Sequence, residues 1–527
     1  MDLTANRRQV LAGAVAAVGA SALATGSAHP ASAHGSDTAT PFPLGVASGD
    51  PLPDAVVLWT RLIRDTGLSR PVEVGWQVAK DERFRRVVRS GTAWARPELA
   101  HSVHVDARGL EPGREYFYRF KAQGQLSPVG RTKTAPHPHA RPHQLRFGVA
   151  SCQDLQNGYW PAYWGLADED FDVVFHLGDY IYEYDPDSRF ADRRHTTPET
   201  LGLDQLRTLD DYRNRHAQYK GDPALRAAHA AGAWVVTWDD HETENNYADL
   251  VDELDSGAAH QTPEEFSRQR AAAYQAYYEH MPIRAHLRPG SDGMRIYRRF
   301  DFGLLARVNV LDTRQYRTDQ PGPSDLGPES YGAGNTEGTL TGDEQESWLS
   351  RGLVHSPARW NVIAQQVMMS RTRFPNPTGQ PPPTVVNLDQ WDGYMPQRQR
   401  LLRLLADERV DNPVILAGDI HSTWISDLKL NFDDPASPVV AAEFVGTSIS
   451  SDFPVAFDAP IKQANPLLNP HVRYFDGLKR GYLRCDVTRE SWRTDVRVVD
   501  TIEVREAPVR TSASFAVEAG RPGVVAA

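Results

Sequence analysis

The chain has 527 residues, of which 24% are charged and 40% hydrophobic, and its formal net charge at pH 7 is −11. This negative balance argues against a general nucleic-acid-binding protein, which neutralises phosphates with a basic face. Cys152 and Cys485 are the only cysteines, so a disulfide scaffold is excluded and the fold must rest on a large hydrophobic core. A single bridge between them, or a functional thiolate at Cys152, stays open.

Residues 1–33 are typical of a targeting segment. The pair Arg7-Arg8 precedes a short run of small apolar residues, and Ala31-Ser-Ala33 fits an Ala-x-Ala cleavage site. The adjacent arginines resemble a twin-arginine export signal, although the residues around them depart from the preferred pattern. The run is too short and too rich in alanine for a membrane anchor. We therefore predict a secreted, extracellular protein that passes through the twin-arginine export machinery, which transports proteins already folded.

Residues 41–136 contain several short runs of β-branched and aromatic residues. Examples are Ala55-Val-Val-Leu-Trp-Thr60, Val72-Glu-Val-Gly-Trp-Gln-Val78 and Tyr116-Phe-Tyr-Arg-Phe120, and turn signals such as Glu111-Pro-Gly113 separate them. Short strands at this spacing predict an N-terminal β-sandwich domain. The Pro-rich stretch that follows is interpreted as a linker.

From residue 144 to residue 500, strand-like runs alternate with helical stretches, which indicates an α/β domain. Polar side chains follow five of the strands: Cys152 after 145–150, Asp179 and Tyr182 after 173–175, Asp240 and His241 after 234–238, Arg314 after 305–311, and Asp419 and His421 after 413–417. Open α/β sheets bind ligands at the carboxyl ends of their strands. Five such ends predict one shared polar site, and this outweighs the alternative that Asp179 only caps a helix.

Other segments carry structural signals rather than chemical ones. Thr262-Pro-Glu-Glu265 is a capping box that begins a helix through His280. A second helix is predicted over 224–231, ended by a glycine. His216 is expected on the solvated face of a polar helix. The stretch 501–527 is interpreted as a C-terminal tail, frayed from residue 511 because it is small and polar.

The side chains at the five strand ends indicate a metal site. Asp179 and Tyr182 are hard oxygen donors that suit a highly charged ion such as ferric iron, and the Cys152 thiolate is also compatible with iron. Asp240 and Asp419 suit a second ion such as calcium, magnesium or manganese, whereas zinc alone is less favoured. Two ions that share a carboxylate can clamp a phosphate ester for in-line attack by a metal-bound hydroxide. The sequence therefore predicts a metal-dependent phosphoesterase.

Several motifs resemble those of known phosphatases. Gly178-Asp-Tyr-Ile-Tyr182 resembles the Gly-Asp-x-x-Tyr element of purple acid phosphatases, Asp240-His-Glu242 stands where that superfamily has Asn-His-Glu, and Gly418-Asp-Ile-His421 stands where it has Gly-His-x-His. The fuller resemblance is to the PhoD-like alkaline phosphatases and phosphodiesterases, and it covers nearly all of the chain beyond the signal. The motifs that carry it are Gly45-Val-Ala-Ser-Gly-Asp-Pro51, Val149-Ala-Ser-Cys-Gln153, His176-Leu-Gly-Asp-Tyr-Ile-Tyr-Glu-Tyr184, Thr237-Trp-Asp-Asp-His-Glu242, Leu311-Asp-Thr-Arg-Gln-Tyr-Arg317, Gln390-Trp-Asp-Gly-Tyr394 and Ala417-Gly-Asp-Ile-His-Ser-Thr-Trp424.

This resemblance implies a mixed α/β protein with an N-terminal β-sandwich and a four-layer αββα metallophosphoesterase core. It also implies Fe³⁺ and Ca²⁺ as cofactors, with Mn²⁺, Mg²⁺ or Zn²⁺ as alternatives. Carried over by motif, the residues that hold the iron are Cys152, Asp179, Tyr182 and His421. Asp179 also bridges to the calcium, with Asp240 and Asp419 as further ligands.

The resemblance assigns roles beyond the metal ligands. His241 is placed to contact the phosphate or to protonate the leaving oxygen, Asn245 to ligate or orient through its carbonyl, and Arg314 to clamp the phosphoryl oxygens. The expected substrate is a phosphodiester or phosphomonoester, with a phospholipid or cell-wall polymer as further candidates. Two alternatives stay open: a phospholipase D with the same site, and a non-catalytic extracellular protein that binds phosphate or calcium. The oligomeric state is not predicted.

Overall fold

The computed structural model describes residues 40–63, 69–184, 206–252 and 261–527. The predicted signal peptide, residues 1–33, lies outside the described residues. Within them, no helix is both long enough and apolar enough to cross a membrane. The helices are α1 Pro161–Asp168, α2 Leu209–Lys220, α3 Pro223–Ala231, α4 Pro263–His280, α5 Glu329–Gly334, α6 Gly342–Val354, α7 Met395–Asp407 and α8 Val455–Leu468.

One of the two large sheets has ten strands, in the order β25-β24-β23-β22-β9-β10-β11-β1-β2-β5. Its strands are β1 Val46–Gly49, β2 Ala55–Arg61, β5 Ser102–Arg108, β9 Gln144–Ala150, β10 Val173–His176, β11 Ala233–Val236, β22 Arg480–Thr488, β23 Ser491–Val499, β24 Val509–Glu518 and β25 Arg521–Ala526. The central strands β9, β10, β11 and β1 are parallel. Their burial explains why they consist of short apolar runs rather than alternating ones.

The other large sheet has seven strands, in the order β12-β13-β15-β18-β20-β19-β21. Its strands are β12 Arg298–Phe302, β13 Ala306–Val310, β15 Trp360–Ala364, β18 Pro413–Ala417, β19 Thr423–Lys429, β20 Val439–Val445 and β21 Val472–Asp476. Strands β13, β15, β18 and β20 are parallel, so their carboxyl ends lie at one edge.

The two sheets pack face to face, and helices cover their outer faces. Phe147 and Phe175 of the ten-stranded sheet share a core with Val362 and Leu416 of the seven-stranded sheet. Side chains of α1 to α4 pack on the other face of the ten-stranded sheet. Helices α6 and α7 cover the seven-stranded sheet in the same way. This helix–sheet–sheet–helix order confirms the predicted αββα core.

The predicted N-terminal sandwich is confirmed. One of its two sheets is separate, and the other is part of the ten-stranded sheet of the core. A five-stranded sheet packs against β1, β2 and β5 of the ten-stranded sheet. Its strands are β3 Val72–Ala79, β4 Val87–Ala95, β6 Glu115–Ala122, β7 Gln125–Leu126 and β8 Gly130–Lys133. Because Ser48 of β1 pairs in parallel with Ala233 of β11, the sandwich continues the catalytic sheet. A pairing partner so distant in sequence leaves no local signal.

The expectation that residues 511–527 fray was wrong. Strands β24 and β25 form a hairpin at the edge of the ten-stranded sheet, and Phe515, Val517 and Val524 are buried in the core between the sheets. The small and polar residues that alternate with them lie on the outer face of the sheet, as the two-residue period of a β-strand requires. The catalytic domain therefore extends past residue 500 to the end of β25.

Helices α4 and α3 confirm the predicted helices. α4 begins with the capping box at Thr262 and Glu265, and α3 is followed by Gly232. The prediction for His216 was wrong, because this residue of α2 is fully buried against α4. The stretch 318–342, rich in glycine, proline and serine, contains α5 and the short strand β14 Leu326–Gly327, which joins β16 Phe374–Pro375 and β17 Thr384–Asn387 in a three-stranded sheet.

Candidate metal centre

The five predicted strand ends meet at one place between the two large sheets. Three of them come from the ten-stranded sheet and two from the seven-stranded sheet. In chain order they bring Cys152 after β9, Asp179 and Tyr182 after β10, Asp240 and His241 after β11, Arg314 after β13, and Asp419 and His421 after β18. The site thus lies at the carboxyl edge of both sheets, where α/β proteins bind ligands.

The four residues predicted to hold iron lie together. The Sγ of Cys152, a carboxylate oxygen of Asp179 and a ring nitrogen of His421 are within 4.8 Å of one another. The Tyr182 hydroxyl donates to Asp179 Oδ2 at 2.8 Å and lies 3.0 Å from His421 Nε2. A thiol, a phenol, a carboxyl and an imidazole in one cluster fit a highly charged transition-metal ion.

Oxygen donors for a second ion lie beside this cluster. Asp179, Asp240 and His241 offer ligand atoms within 4.8 Å of one another, and so do Asp239, Asp240 and Asp419. Among the described residues, Oδ1 of Asp179, Oδ2 of Asp239 and Oδ1 of Asp240 are buried without a hydrogen-bond partner. Buried carboxylate oxygens are normally paired, so these atoms fit a hard divalent cation that prefers oxygen ligands.

Four of the predicted ligands have left-handed backbone conformations. The φ angles are 59° at Cys152, 54° at Asp179, 63° at Asp419 and 56° at His421. Positive φ is uncommon outside glycine, and such strain is typical of functional sites, where the surrounding structure holds it in place. Residues 180–184 are not helical, so Asp179 does not cap a helix directly after β10.

The electrostatics of the site favour cation binding. Burial, together with Asp389 and Asp240, raises the pKa of Asp419 to about 6. Burial also raises the pKa of Cys152 and of Tyr182, and the nearby Asp179 adds to both shifts. A thiolate and a phenolate therefore form here only beside a strongly charged cation.

Arg314 does not have the position expected of a clamp for phosphoryl oxygens. Its fully buried guanidinium donates to both carboxylate oxygens of Asp389, at 2.7 and 3.0 Å, and from Nε to Asp239 Oδ1 at 2.5 Å. A further bond of 3.3 Å reaches Asp419 Oδ1. With its donors on carboxylates, Arg314 neutralises and orients the acidic residues instead of facing a substrate. These contacts give the predicted clamp role no support, and it stays a prediction.

His241 is fixed by contacts on two sides. Its Nδ1 lies 2.8 Å from Glu183 Oε2, and its ring packs on Tyr182 with centroids 4.2 Å apart. Burial alone would lower the pKa of His241. The carboxylates of Glu183 and Asp240 raise it by a larger amount, so the pKa lies well above its usual value. The Nδ1 contact with Glu183 leaves Nε2 for a ligand or substrate.

Asn245 lies behind His241. Its Oδ1 accepts from the Tyr184 hydroxyl at 3.1 Å, and its backbone N–H donates to Glu183 Oε1 at 2.8 Å. The structure places it next to the site, and its role as ligand or orienting group stays a prediction. His176, by contrast, points away from the site and contacts the rings of Tyr180 and Trp234.

Four further residues of the site were missed by sequence reasoning. Asp239 and Glu242 flank the predicted Asp240 and His241 in the same motif, and Glu183 follows Tyr182 directly, so all three stood in quoted motifs without an assigned role. Glu242 accepts from the backbone N–H groups of Asp179, Tyr180 and Asp239 at 3.1, 2.6 and 2.8 Å. Ser451 contacts Tyr182, and no sequence pattern marked it.

The alternative of a disulfide between the two cysteines is contradicted. Both thiols are free and buried. Cys485 lies on β22 inside the core between the sheets, and its Sγ is 3.6 Å from Thr494 Oγ1. It is a core thiol, and Cys152 is left available as a metal ligand.

Comparison with known proteins agrees with this geometry. The family model described as PhoD-like phosphatase matches residues 147–496, and the model described as PhoD-like phosphatase, N-terminal domain, matches residues 27–136. Alkaline phosphatase D of Bacillus subtilis (strain 168) is 48% identical over 498 residues, which cover 92% of this chain and 82% of that protein.

Solved structures show the same relation. A structure described as PhoD superposes with a TM-score of 0.86 at 46% identity and covers 94% of this chain and 93% of that one. A purple acid phosphatase from yellow lupin (Lupinus luteus) seeds shares the fold, with a TM-score of 0.50, 12% identity and coverage of 90% and 73%. The sequence, the fold and the arrangement of the five strand ends therefore lead to one conclusion: the chain belongs to the PhoD-like phosphatase family.

Proposed function

We propose that the protein is an exported hydrolase that cleaves phosphodiesters and phosphomonoesters at a centre holding one ferric ion and calcium. Membership of the PhoD-like phosphatase family makes it a phosphoric ester hydrolase, and its metallophosphoesterase fold implies metal dependence. The choice of ions, the mechanism and the site of action are the proposal.

One observation carries the proposed centre, namely the position of Asp179 in two donor groups. It lies with Cys152 and His421 on one side and with Asp240 and His241 on the other. One of its carboxylate oxygens accepts from Tyr182, and the other has no hydrogen-bond partner in the part of the chain that the structure describes. A carboxylate so placed is suited to bridging two ions, as in other two-metal hydrolases.

The donor types divide the residues between the ions. Cys152, Tyr182 and His421 would hold the ferric ion with Asp179, because thiolate and phenolate ligands suit iron. Asp240, Asp419 and the newly identified Asp239 would hold calcium through oxygen. When bound, the ions supply Lewis acidity that activates a water molecule and neutralises charge on the phosphoryl group.

The protein's own residues supply orientation and proton transfer. Glu183 holds His241 through Nδ1, so that Nε2 can donate to a phosphoryl oxygen or to the leaving oxygen. Arg314 keeps Asp239, Asp389 and Asp419 in place. Glu242 fixes the backbone on both sides of the bridging carboxylate.

A substrate panel tests the activity. Purified, metal-loaded protein is expected to release nitrophenol from bis-nitrophenyl phosphate and from nitrophenyl phosphate. Asp179→Ala should reduce the rate by about 10³-fold, because several kcal/mol of charge stabilisation are lost. Asp411→Ala, at an exposed aspartate, is the matched control and should retain full activity. Absence of turnover on every ester would favour the non-catalytic alternative and contradict the proposal.

Elemental analysis of the natively exported protein tests the ions. Iron and calcium are the expected elements, and Cys152→Ser should lose iron together with its charge-transfer colour. Full iron content and colour in Cys152→Ser would make the thiol structural. Reversible loss of activity on calcium chelation is expected, and indifference to the chelator would contradict the calcium.

The phospholipase D alternative has one specific observation in its favour. Helix α8 begins three residues after Asp452, whose carbonyl accepts from His421 Nδ1, and its side chains Val455 and Leu467 are 73% and 86% exposed. Exposed apolar residues on a helix that begins beside the site suit contact with a lipid surface. Faster release of choline from phosphatidylcholine vesicles than of nitrophenol from soluble diesters would favour the phospholipase.

Export is testable separately from catalysis. Replacing Arg7 and Arg8 together by lysine should leave the protein inside the cell, because the twin-arginine machinery reads that pair. Undiminished export of the double-lysine variant, measured by activity in the culture medium, would contradict this route.

A further inference from the structure

A single loop holds three of the four predicted iron ligands. Residues 446–454 connect β20 to α8. The backbone N–H groups of Ser450 and Ser451 donate to the Cys152 carbonyl at 3.3 and 3.2 Å. The carbonyl of the next residue, Asp452, accepts from His421 Nδ1 at 2.9 Å. The loop therefore orients ligands from two different sheets.

The side chain of Ser451 reaches the third ligand, Tyr182. Ser451 is 1% exposed, and its Oγ lies 2.7 Å from the Tyr182 hydroxyl oxygen and 2.9 Å from the Cys152 carbonyl. The same Oγ accepts the backbone N–H of Asp154 at 3.1 Å. The serine is thus held in place by the loop that carries Cys152 and points at the phenol.

The other contacts of the phenol decide where the serine proton goes. The Cys152 carbonyl already accepts two backbone N–H groups, which occupy its two lone pairs. Asp179 Oδ2 is an acceptor, and His421 uses Nδ1 for Asp452 and turns Nε2 towards the metal centre. Among the described residues, Ser451 is therefore the neutral donor directed at the Tyr182 oxygen.

We propose that Ser451 is a positioning residue of the metal centre, whose hydroxyl donates to the Tyr182 oxygen and fixes which lone pair of that oxygen faces the metal. The inference rests on the proposed function in one respect, namely that Tyr182 is a ligand of the ferric ion. A hydrogen bond to a ligand atom tunes the metal in the way that outer-shell partners of metal-binding histidines do.

The test compares two neighbouring serines in the full-length protein. Ser450 is equally buried, but its Oγ bonds to Trp160 Nε1 and to the Asp154 carbonyl instead of to a ligand. Metal-free protein is reloaded with ferric ion and calcium, and iron affinity is measured by competition with a chelator. Ser451→Ala should bind iron about 10–100-fold more weakly. Its visible charge-transfer band should move to longer wavelength, because the phenolate loses a donor that stabilised its electrons. Ser450→Ala should change neither the affinity nor the band.

A double-mutant cycle separates this role from a structural one. Tyr182→Phe removes the phenol, so adding Ser451→Ala to it should cause no further loss of iron affinity. Additive losses, or equal behaviour of Ser451→Ala and Ser450→Ala, would overturn the proposal.

If Ser451→Ala does not fold, Ser451→Cys is the second variant, because it keeps a similar shape with a weaker donor. It should show a smaller band shift, and an unshifted band overturns the proposal. A wild-type protein that takes up no ferric ion overturns the metal assignment as well, whereas a loaded, active wild type beside an unaffected Ser451→Ala overturns this inference alone.

Discussion

Two clusters of titratable side chains lie in the interior of the described part of the protein, and they differ in charge and in backbone conformation. The acidic cluster surrounds Arg314 at the carboxyl edge of the sheets and consists of Asp179, Asp239, Asp240, Asp389 and Asp419. The histidine cluster lies under helices α2 to α4, next to the N-terminal sandwich, and consists of His176, His216, His229 and His280 around Lys220.

The histidine cluster is built from regular elements. Its members belong to β10, α2, α3 and α4, and the rings stack, as His216 does on His280 with centroids 4.9 Å apart. Burial lowers the pKa of His176 to about 3 and that of Lys220 to about 7. These groups are neutral at alkaline pH, and the cluster then needs no counter-ion.

The acidic cluster shows the opposite features. Asp179 and Asp419 have left-handed backbones. One carboxylate oxygen each of Asp179, Asp239 and Asp240 has no hydrogen-bond partner within the described ranges. Its negative charge exceeds what Arg314 and Arg317 neutralise. Apart from Asp419, whose side chain is 14% exposed, both clusters are fully buried, so burial and shifted pKa values alone do not identify a catalytic site. What distinguishes the catalytic site is that its buried side chains carry the same charge, lie on a strained backbone and meet at the ends of several strands.

The largest expected effect concerns Lys220. Its Nζ lies 4.4 Å from the Trp59 ring centroid and 3.4 Å from His229 Nε2, and no carboxylate of the described residues pairs with it. Its pKa of about 7 in the folded protein is below the usual 10.5. The unfolded chain therefore binds more protons between those pH values, and stability rises with pH across that window. Lys220→Met should stabilise the protein at pH 6 by on the order of 4 kcal/mol, measured by denaturant unfolding.

The pH dependence is the sharper measurement. The advantage of Lys220→Met should shrink between pH 7 and pH 10, because the wild-type lysine is then neutral in the folded protein. Lys462→Met, at a half-exposed lysine paired with Asp458, is the control and should show no such trend. A loss of stability in Lys220→Met at pH 6 would mean that the aromatic contacts hold the ammonium, and the two clusters would then not differ as described.

Asp239→Asn should act with opposite signs on the metal-free and the loaded protein. Arg314 donates to Oδ1, and Oδ2 has no partner, so an amide can replace the carboxylate without a clash of donors. Removal of the buried charge should stabilise the metal-free protein by about 1–3 kcal/mol. The loaded protein should bind calcium about 10–100-fold more weakly. Thermal unfolding with and without chelator measures both, with Asp407→Asn at an exposed site as control. A destabilised metal-free variant would show that the acidic cluster is satisfied without cations.

The order of the layers was predictable because each element carries its own signal. The parallel strands are short apolar runs, the capping box fixes the start of α4, and the polar residues sit directly behind the strands. The continuation of the sandwich into the core sheet was not predictable, since Ser48 and Ala233 pair across most of the N-terminal half. The hairpin β24–β25 was missed because its outward residues are small and polar, which hid the alternation of Phe515 and Val517.

The chemistry of the site was easier to predict than its supports. Metal-binding side chains such as Cys152 and Tyr182 belong to uncommon residue types and stand inside recognisable motifs, so the sequence marks them. For Arg314, the sequence indicates the correct edge of the sheets but carries no signal that Asp389 accepts from its guanidinium. Ser451 was missed because a serine that donates to one phenol oxygen has no spacing or composition that distinguishes it from others.

Glu242→Gln tests whether the strained backbone of the acidic cluster matters for metal binding. The Glu242 carboxylate accepts the N–H groups of Asp179, Tyr180 and Asp239, and a glutamine would turn a donor towards one of them. We expect roughly 10-fold weaker metal binding with the ligands themselves unchanged. Glu264→Gln, in the exposed first turn of α4, is the control. Unaltered metal affinity in Glu242→Gln would mean that the left-handed conformation of Asp179 is maintained without it.

His216→Phe should have the smallest effect, and it tests the other half of the comparison. Among the described residues, both ring nitrogens of His216 are buried without a hydrogen-bond partner, and the ring contacts those of His280, Tyr277 and Tyr180. A phenyl ring keeps these contacts and removes two polar atoms that burial penalises. The variant should therefore keep the kcat and metal content of the wild type and unfold at an equal or higher temperature. A loss of kcat at unchanged stability would connect the histidine cluster to catalysis, through the contact of the His216 ring with Tyr180, the residue next to Asp179.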